Sequence, residues 1–148
     1  RWSYNPTWAK TPMNLINARS ETLRVIPSFK MAKRCLIVAD GWYEWLRTDN
    51  KKQPYFFHMN DSLFNFAGIY TEYNGEMGCA IITKDAIQKL STVHHRMPII
   101  IADDEADSWL SGEDVFDSKS SEDIEFYPVS TMVNSPRNNN IDCLKPSP

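Results

Sequence analysis

Cysteine is scarce in this chain, and signatures of bound metals or nucleotides are missing. The 148 residues include only Cys35, Cys79 and Cys143, with no CxxC pair. Such wide spacing excludes a zinc knuckle and a redox CxxC motif, and it indicates free, buried thiols in a reducing compartment. The chain also lacks a phosphate-binding glycine loop, a GxSxG elbow and an HExxH motif. P-loop, α/β-hydrolase and zincin chemistry therefore have no basis here.

Long hydrophobic runs are missing too. The longest apolar stretch, Met97–Ala102, is strand-sized, far below the roughly 18 apolar residues of a membrane helix. Hydrophobic residues make up 42% of the chain and charged residues 24%, which is typical of a folded globular protein. The sequence therefore predicts a folded chain without a membrane span.

The charges are distributed unevenly along the chain. The formal net charge is −3, yet residues 1–34 hold seven Lys or Arg against one acid, whereas residues 103–125 hold ten acids against one Lys. A chain divided in this way can present a basic face despite its acidic total. Charge alone is equally compatible with two solvated surfaces.

The apolar patterning predicts several strands joined by turns and short helices. Asn74-Gly75 lies between two apolar segments, which is a strong signal for a type I′ hairpin turn. We expect a short helix over 85–90 capped by Thr83, a second from Asp103 to near Gly112, and a loop over 111–125. The predicted strands are 35–39, 53–59, 63–73, 77–83, 99–101 and 126–133, and the tail beyond them shows no further element.

These elements do not alternate as βαβ units. We therefore predict an α+β fold with a mainly antiparallel, partly barrel-like sheet and short flanking helices. No internal repeat and no boundary divides residues 1–148, so the chain is predicted to form a single domain.

Three places along the chain hold residue types that suit chemistry. Asn17 and Arg19 lie two residues apart on an extended segment, so they can face the same way and bind an anion. Alternatively, Asn17 is a turn residue and Arg19 a surface cation. Glu44 lies among aromatic residues after a buried strand, where desolvation would raise its pKa and suit a general acid, unless it points to water. Of the adjacent His94 and His95, at most one can face a given site.

The two cysteines inside apolar runs are weak candidates for a nucleophile. A peptidase pairing of a histidine with Cys35 or Cys79 is conceivable. Burial of a thiol raises its pKa, however, so neither resembles an activated thiolate.

Taken in order, five sequence blocks resemble the SOS response-associated peptidase (SRAP) family. Asn-Ala-Arg, Ala-Asp-Gly-Trp-Tyr-Glu-Trp and His-x-Arg-Met-Pro are the most specific parts. The resemblance spans nearly the whole chain, through Arg1–Trp8, Leu15–Thr22, Arg34–Trp45, His94–Pro98 and Pro128–Ser130 with Val133-Asn134.

The resemblance implies covalent cross-linking to abasic sites in single-stranded DNA. In the family an N-terminal Cys forms a Schiff base with the sugar aldehyde, and its thiol then closes a thiazolidine. By the same resemblance, Asn17 positions the amine or the sugar, Arg19 holds a phosphate, Glu44 is the acid/base, and His94 assists proton transfer. Trp2 and Trp8 would lie near the DNA, where an aromatic ring can stack on bases.

The family's Met-Cys-Gly-Arg start is absent from the sequence. We therefore expect a domain truncated at its N-terminus, with its nucleophile upstream of Arg1. The basic first third is expected to line the DNA groove, and the acidic 103–125 segment to face away. No cofactor and no metal are predicted, and the partner would be abasic single-stranded DNA bound by a monomer, in the nucleoid of a bacterium or the nucleus of a eukaryote.

Two other functions are compatible with the same residues. One is a cysteine peptidase that processes its own N-terminus, in which the upstream Cys works with Glu44 and His94. The other is a non-catalytic module that binds single-stranded DNA. Dependence on the abasic aldehyde distinguishes the cross-linker from both.

Overall fold

The computed structural model describes residues 1–60 and 62–147 as two β-sheets with short helical segments. The strands are β1 Asn17–Arg19, β2 Lys33–Ala39, β3 Trp42–Thr48, β4 Lys51–His58, β5 Phe64–Tyr73, β6 Glu76–Asp85, β7 Arg96–Pro98, β8 Ile100–Ile101 and β9 Glu125–Pro128. The α-helices are α1 Gln88–Ser91 and α2 Ala106–Ser111. The 3-10 segments are Ser20–Thr22, Pro27–Phe29, Asp103–Glu105, Lys119–Asp123, Thr131–Asn134 and Ile141–Leu144.

The larger sheet has six strands in the order β1-β6-β5-β2, with β7 paired to β6 and β8 to β5. Its centre is the hairpin β5–β6, whose turn residues Asn74 and Gly75 have φ of 52° and 82°. Positive φ at both positions is the requirement of the type I′ turn, so this prediction is confirmed. The pairing of β1 with β6 is parallel, and the other pairs are antiparallel.

The smaller sheet has three strands in the order β3-β4-β9, so β3 forms one edge. Gly41 precedes β3 at a point where an added Cβ would lie 2.3 Å from the Phe56 ring and 2.5 Å from the Phe57 carbonyl oxygen. Only glycine fits that approach, and it lets Trp42 stack on Phe57 with ring centroids 5.0 Å apart. The close approach therefore fixes the start of β3.

Residues alternate along the strands of the larger sheet, so each of its faces covers a separate core. Phe66 and Ile100 face the smaller sheet, where they pack with Phe57 and Met97. Neighbouring residues face the opposite layer, where Trp109 of α2 is fully buried. Burial of each large side chain contributes roughly 2–3 kcal/mol. The result is an α+β fold of mainly antiparallel sheets, as predicted, with two open sheets where a partly closed barrel was expected.

The predicted first helix begins too early. β6 continues to Asp85 because Thr83 and Asp85 pair with Pro98 and Arg96 of β7. Thr83 therefore caps nothing, and α1 starts only at Gln88.

Asp103 does not cap the second helical segment either. Its Oδ1 accepts a hydrogen bond from Asn65 Nδ2 at 3.2 Å, while the Glu105 carboxylate accepts the Ala102 N–H at 3.0 Å. The end of α2 at Gly112, with φ of 111°, is as predicted.

The C-terminal part has more 3-10 turns than predicted. The 111–125 loop includes the segment Lys119–Asp123. β9 ends at Pro128 rather than at 133, because Ser130 Oγ accepts the Met132 N–H at 3.3 Å and begins a 3-10 turn. The tail adds Ile141–Leu144, where Asn140 Oδ1 accepts the Asp142 N–H. Short polar caps of this kind compete with extended backbone.

Candidate functional site

An open cleft lies between the edge strands β1 and β3, and two adjoining cavities of about 470 and 390 Å³ occupy it. Asn17, Glu44 and Thr83 line both cavities. The larger cavity is mainly apolar, with walls from Trp2, Trp42 and other aromatic or aliphatic residues. Most residues around the smaller cavity are polar or charged, and it is completed by Arg19, His94, Arg96 and Met97. The cleft therefore joins an apolar wall to a group of ionisable side chains.

Strand β1 supplies the amide and the guanidinium of the cleft. Asn17 and Arg19 are exposed, whereas Ala18 between them is buried in the core. The period of two in a strand sends Asn17 and Arg19 to one side, and both line the polar cavity. A hydrogen-bonding amide and a cation thus stand side by side at its mouth.

Glu44 lies on β3 at the boundary between the two cavities. Its side chain is 24% exposed, and Oε2 lies 3.7 Å from His94 Nδ1. Burial raises the pKa of the Glu44 carboxyl, and the charge of His94 lowers it in part. The net rise brings the carboxyl closer to neutral pH, where a general acid is most effective.

The backbone of Arg96 offers the imidazole of His94 a partner in either protonation state. Nδ1 lies 3.2 Å from the Arg96 N–H and 3.1 Å from the Arg96 carbonyl oxygen. A neutral Nδ1 accepts from the N–H, and a protonated one donates to the carbonyl. His94 can therefore exchange a proton without reorientation. The ring centroid of His95 lies 4.6 Å from that of His94, but His95 lines neither cavity.

The side chain of Arg96 joins β7 to β6 and to the 3-10 segment that follows β1, beside the cleft. Its guanidinium donates to Glu21 Oε1 and Asp85 Oδ1 at 2.7 Å each, and to the Thr83 carbonyl oxygen. The hydrogen bond from Arg96 lowers the pKa of Glu21. Sequence reasoning gave no role to Glu21 or Arg96, although both stand inside the family-like blocks, and it misassigned Thr83 as a cap.

The two tryptophans of the first block differ in position. Trp2 is 56% exposed, lines the apolar cavity, and donates its Nε1–H to the Ile16 carbonyl oxygen at 2.7 Å. Trp8 is 58% exposed and lines neither cavity of the cleft. The structure therefore brings Trp2, but not Trp8, to the site.

The cysteines lie outside the cleft. Neither Cys35 nor Cys79 lines either cavity, and burial, together with the neighbouring Cys79, raises the pKa of Cys35 to about 11. Within residues 1–60 and 62–147, no three His, Cys, Asp or Glu side chains converge as metal ligands. In the same part of the chain, no helix is long and apolar enough to cross a membrane.

Among the residues that the structure describes, none of the acidic segment 103–125 lines the cleft, but one of its carboxylates contacts the basic first third. Asp114 accepts hydrogen bonds from Arg24 at 2.7 Å and Arg34 at 2.8 Å. Part of the positive charge in the first third is therefore paired within the chain instead of lining the cleft, contrary to prediction. Arg19 is the cation of that third which lines the cleft.

The fold and the cleft together define the class of this protein. The pattern of the family described as SOS response associated peptidase (SRAP) matches residues 1–136. The chain belongs to the SRAP family.

Relatives of this chain are named abasic site processing proteins. It is 37% identical to the abasic site processing protein YoqW of Bacillus subtilis, over 98% of the chain and 74% of that protein. It is 35% identical to the abasic site processing protein HMCES of Gallus gallus, over 99% of the chain and 56% of that protein. A crystal structure of a Bacteroides thetaiotaomicron protein matches with a TM-score of 0.81 and 25% identity, over 99% of this chain and 75% of the other.

Proposed function

We propose that this protein binds abasic single-stranded DNA in the cleft between β1 and β3 and becomes covalently linked to it there. The observation that carries the proposal is the contact of Glu44 Oε2 with His94 Nδ1 at 3.7 Å, beside Asn17 and Arg19. The names of the relatives, which refer to abasic site processing, support the choice of substrate.

The proposed chemistry begins with the open-chain aldehyde of an abasic site. Its nucleophile is an N-terminal Cys upstream of Arg1, an assignment that rests on the family resemblance. The α-amine adds to the aldehyde carbon, and loss of water from the carbinolamine leaves a Schiff base. The thiol then adds across the C=N bond and closes a thiazolidine.

Five residues of the cleft have a place in this scheme. Glu44, with its raised pKa, protonates the departing oxygen as water leaves. His94 accepts at Nε2 the proton that the amine loses, while Nδ1 keeps its backbone partner. Arg19 binds a phosphate, and Asn17 orients the amine or the sugar. Trp2 offers an exposed face for a neighbouring base.

The test uses the natural full-length protein with its own N-terminus and an oligonucleotide that carries one abasic site. We expect a band that survives denaturing electrophoresis, that is lost when the N-terminal Cys is changed to Ala, and that forms at least about 100-fold more slowly in Glu44→Gln. His94→Gln should slow it as well. The matched control His95→Gln should react as the wild type does, because that ring lies outside both cavities.

Other outcomes would point to the other functions. No stable band despite a correct N-terminal Cys would overturn the cross-linking proposal. Turnover of peptides that match the protein's own N-terminus would then favour a cysteine peptidase. Reversible, salt-sensitive binding to any single strand, with no covalent product, would favour a binding module.

A further inference from the structure

A basic hairpin extends β3 beyond the cleft. Arg47 at the end of β3 and Lys51 and Lys52 at the start of β4 are exposed, and Thr48, Asp49 and Asn50 complete the hairpin tip. The segment 47–52 has a net charge of +2, since Asp49 offsets one of three cations. Within the described residues, none of the three cations has a carboxylate oxygen within 4.0 Å.

The strand register makes this hairpin electrostatically unfavourable for folding. Arg47 lies directly opposite Lys52, and Thr48 opposite Lys51. Like charges placed directly across an antiparallel pair destabilise it. Elsewhere the chain places opposite charges together, for example where Asp114 pairs with Arg24 and Arg34. A repulsive pair at an exposed turn is consistent with an anion outside the chain.

The hairpin is continuous with the cleft through Trp45. Lys52 Nζ lies 5.5 Å from the centre of the Trp45 ring. The Trp45 indole N–H donates to Asn134 Oδ1 at 2.7 Å, which fixes the ring, and Trp45 also lines the apolar cavity. Arg47 is two residues further along β3, on the same face and about 6.6 Å away along the strand. An aromatic ring and two cations thus follow one another outward from the cavity.

We propose that the hairpin 47–52, with Trp45, binds the strand of single-stranded nucleic acid that leaves the cleft on one side. Cations that track phosphates, combined with an aromatic stacking surface, are the usual means of holding a single strand without reading its sequence. The choice of DNA as the strand rests on the proposed function. The hairpin acts in binding only, and Glu44 and His94 remain the reactive pair.

The first test measures binding to an undamaged single strand, so it does not depend on the cross-link. In the full-length protein, Arg47→Gln/Lys52→Gln is compared with Lys30→Gln/Lys33→Gln. The control pair removes the same charge beside and within β2, at the other edge of the sheet from β1. The slope of log K against log salt should fall by about 1.4 in the hairpin variant, at about 0.7 per lost phosphate contact. We expect roughly tenfold weaker binding at low salt, with little change in the control.

The second test uses two abasic oligonucleotides, one extended only 5′ and the other only 3′ of the lesion. The hairpin variant should weaken binding to one of them and leave the other unchanged. Equal weakening of binding to both oligonucleotides, or an equal effect of the control pair, would overturn the proposal. It would show that the cations act through the general electrostatic field of the protein rather than through contacts at the hairpin. An unchanged salt slope would overturn it as well, while a cross-link at wild-type yield would leave the proposed function intact.

The hairpin proposal can also hold when the cross-linking proposal fails. If no cross-link forms in the wild type but the hairpin variant still loses salt slope, the hairpin is a nucleic-acid surface and the proposed chemistry fails. Melting temperature serves as the folding control. It should stay equal or rise in the hairpin variant, because the repulsion between Arg47 and Lys52 is removed.

Discussion

Two clusters in this protein each place a carboxylate beside basic side chains, yet the pKa of the carboxylate is shifted in opposite directions. In the cleft, Glu44 lies 3.7 Å from His94, and the pKa of Glu44 is raised because burial outweighs the attraction of His94. In the cluster beside α2, burial would also raise the pKa of Asp114, but the hydrogen bonds from Arg24 and Arg34 outweigh it and lower that pKa. The difference lies in the number and closeness of the cations.

The two carboxylates contribute differently to reactivity and to stability. Asp114 is held in its charged form, and Arg34, whose guanidinium carbon lies 4.0 Å from the centre of the Trp109 ring, is packed as well as paired. Burial of Glu44 is only partly offset by the charge of His94, so its pKa is raised rather than lowered. A carboxyl that is costly to ionise suits proton transfer and weakens the fold.

The largest expected effect is the loss of the packed cluster through Trp109→Ala. Trp109 is fully buried, and its Nε1–H donates to the Cys35 carbonyl oxygen at 2.9 Å. We expect a loss of about 3–5 kcal/mol in the free energy of unfolding, measured by denaturant titration. The exposed Trp8→Ala should change it by less than about 0.5 kcal/mol. A small effect of Trp109→Ala would show that α2 is not part of the core.

The next prediction concerns Glu44→Gln, which should stabilise the protein while it slows the proposed reaction. The folded-state pKa of Glu44 is raised, so ionisation costs folding free energy above the unfolded pKa near 4.3. We expect Tm at pH 7.5 to rise by roughly 2–5 °C and the gain to vanish at pH 3.5. A lower Tm at pH 7.5 would show that the carboxylate is fully compensated in the cleft.

Asp114→Asn should have a smaller effect of the opposite sign. The folded pKa of Asp114 is lowered, so its contribution is present above the unfolded pKa near 3.9 and is lost as pH falls through the lower folded pKa. Because Asp114 is 35% and Arg24 71% exposed, we expect only about 1 kcal/mol at pH 7. Thermal melts across pH should show this difference shrink in acid, and Asp117→Asn, at a carboxylate that is 97% exposed, should show almost none.

The last prediction concerns the pKa of Glu44 rather than the stability of the protein. The charge of His94 lowers the pKa of Glu44, so His94→Gln should raise that pKa further. A carboxyl carbon NMR titration of Glu44 would detect the shift, with His95→Gln as the matched control. A midpoint that stays in place would mean that the two groups do not interact in solution.

Local patterns in the sequence were sufficient for much of the fold. The turn at Asn74-Gly75 and the end of α2 at Gly112 follow from the φ angles that these residues tolerate. Thr83 was misread because its cap-like sequence was overruled by pairing with Pro98 of β7, a partner distant in sequence. Burial of Glu44 was one of two alternatives that its aromatic neighbours left open, whereas the contacts of Arg96 with Glu21 and Asp85 had no local signal.

The α+β class, the hairpin turn and the family-like blocks can be recognised in the sequence alone, because they depend on residues near one another in the chain. The packing of the two sheets alone sets β1 and β3 across a cleft from each other, brings His94 Nδ1 to 3.7 Å from Glu44, and pairs Asp114 with Arg24 and Arg34. Those contacts join segments far apart in sequence. Their geometry is set by how the two sheets pack, and no local preference of the chain encodes that.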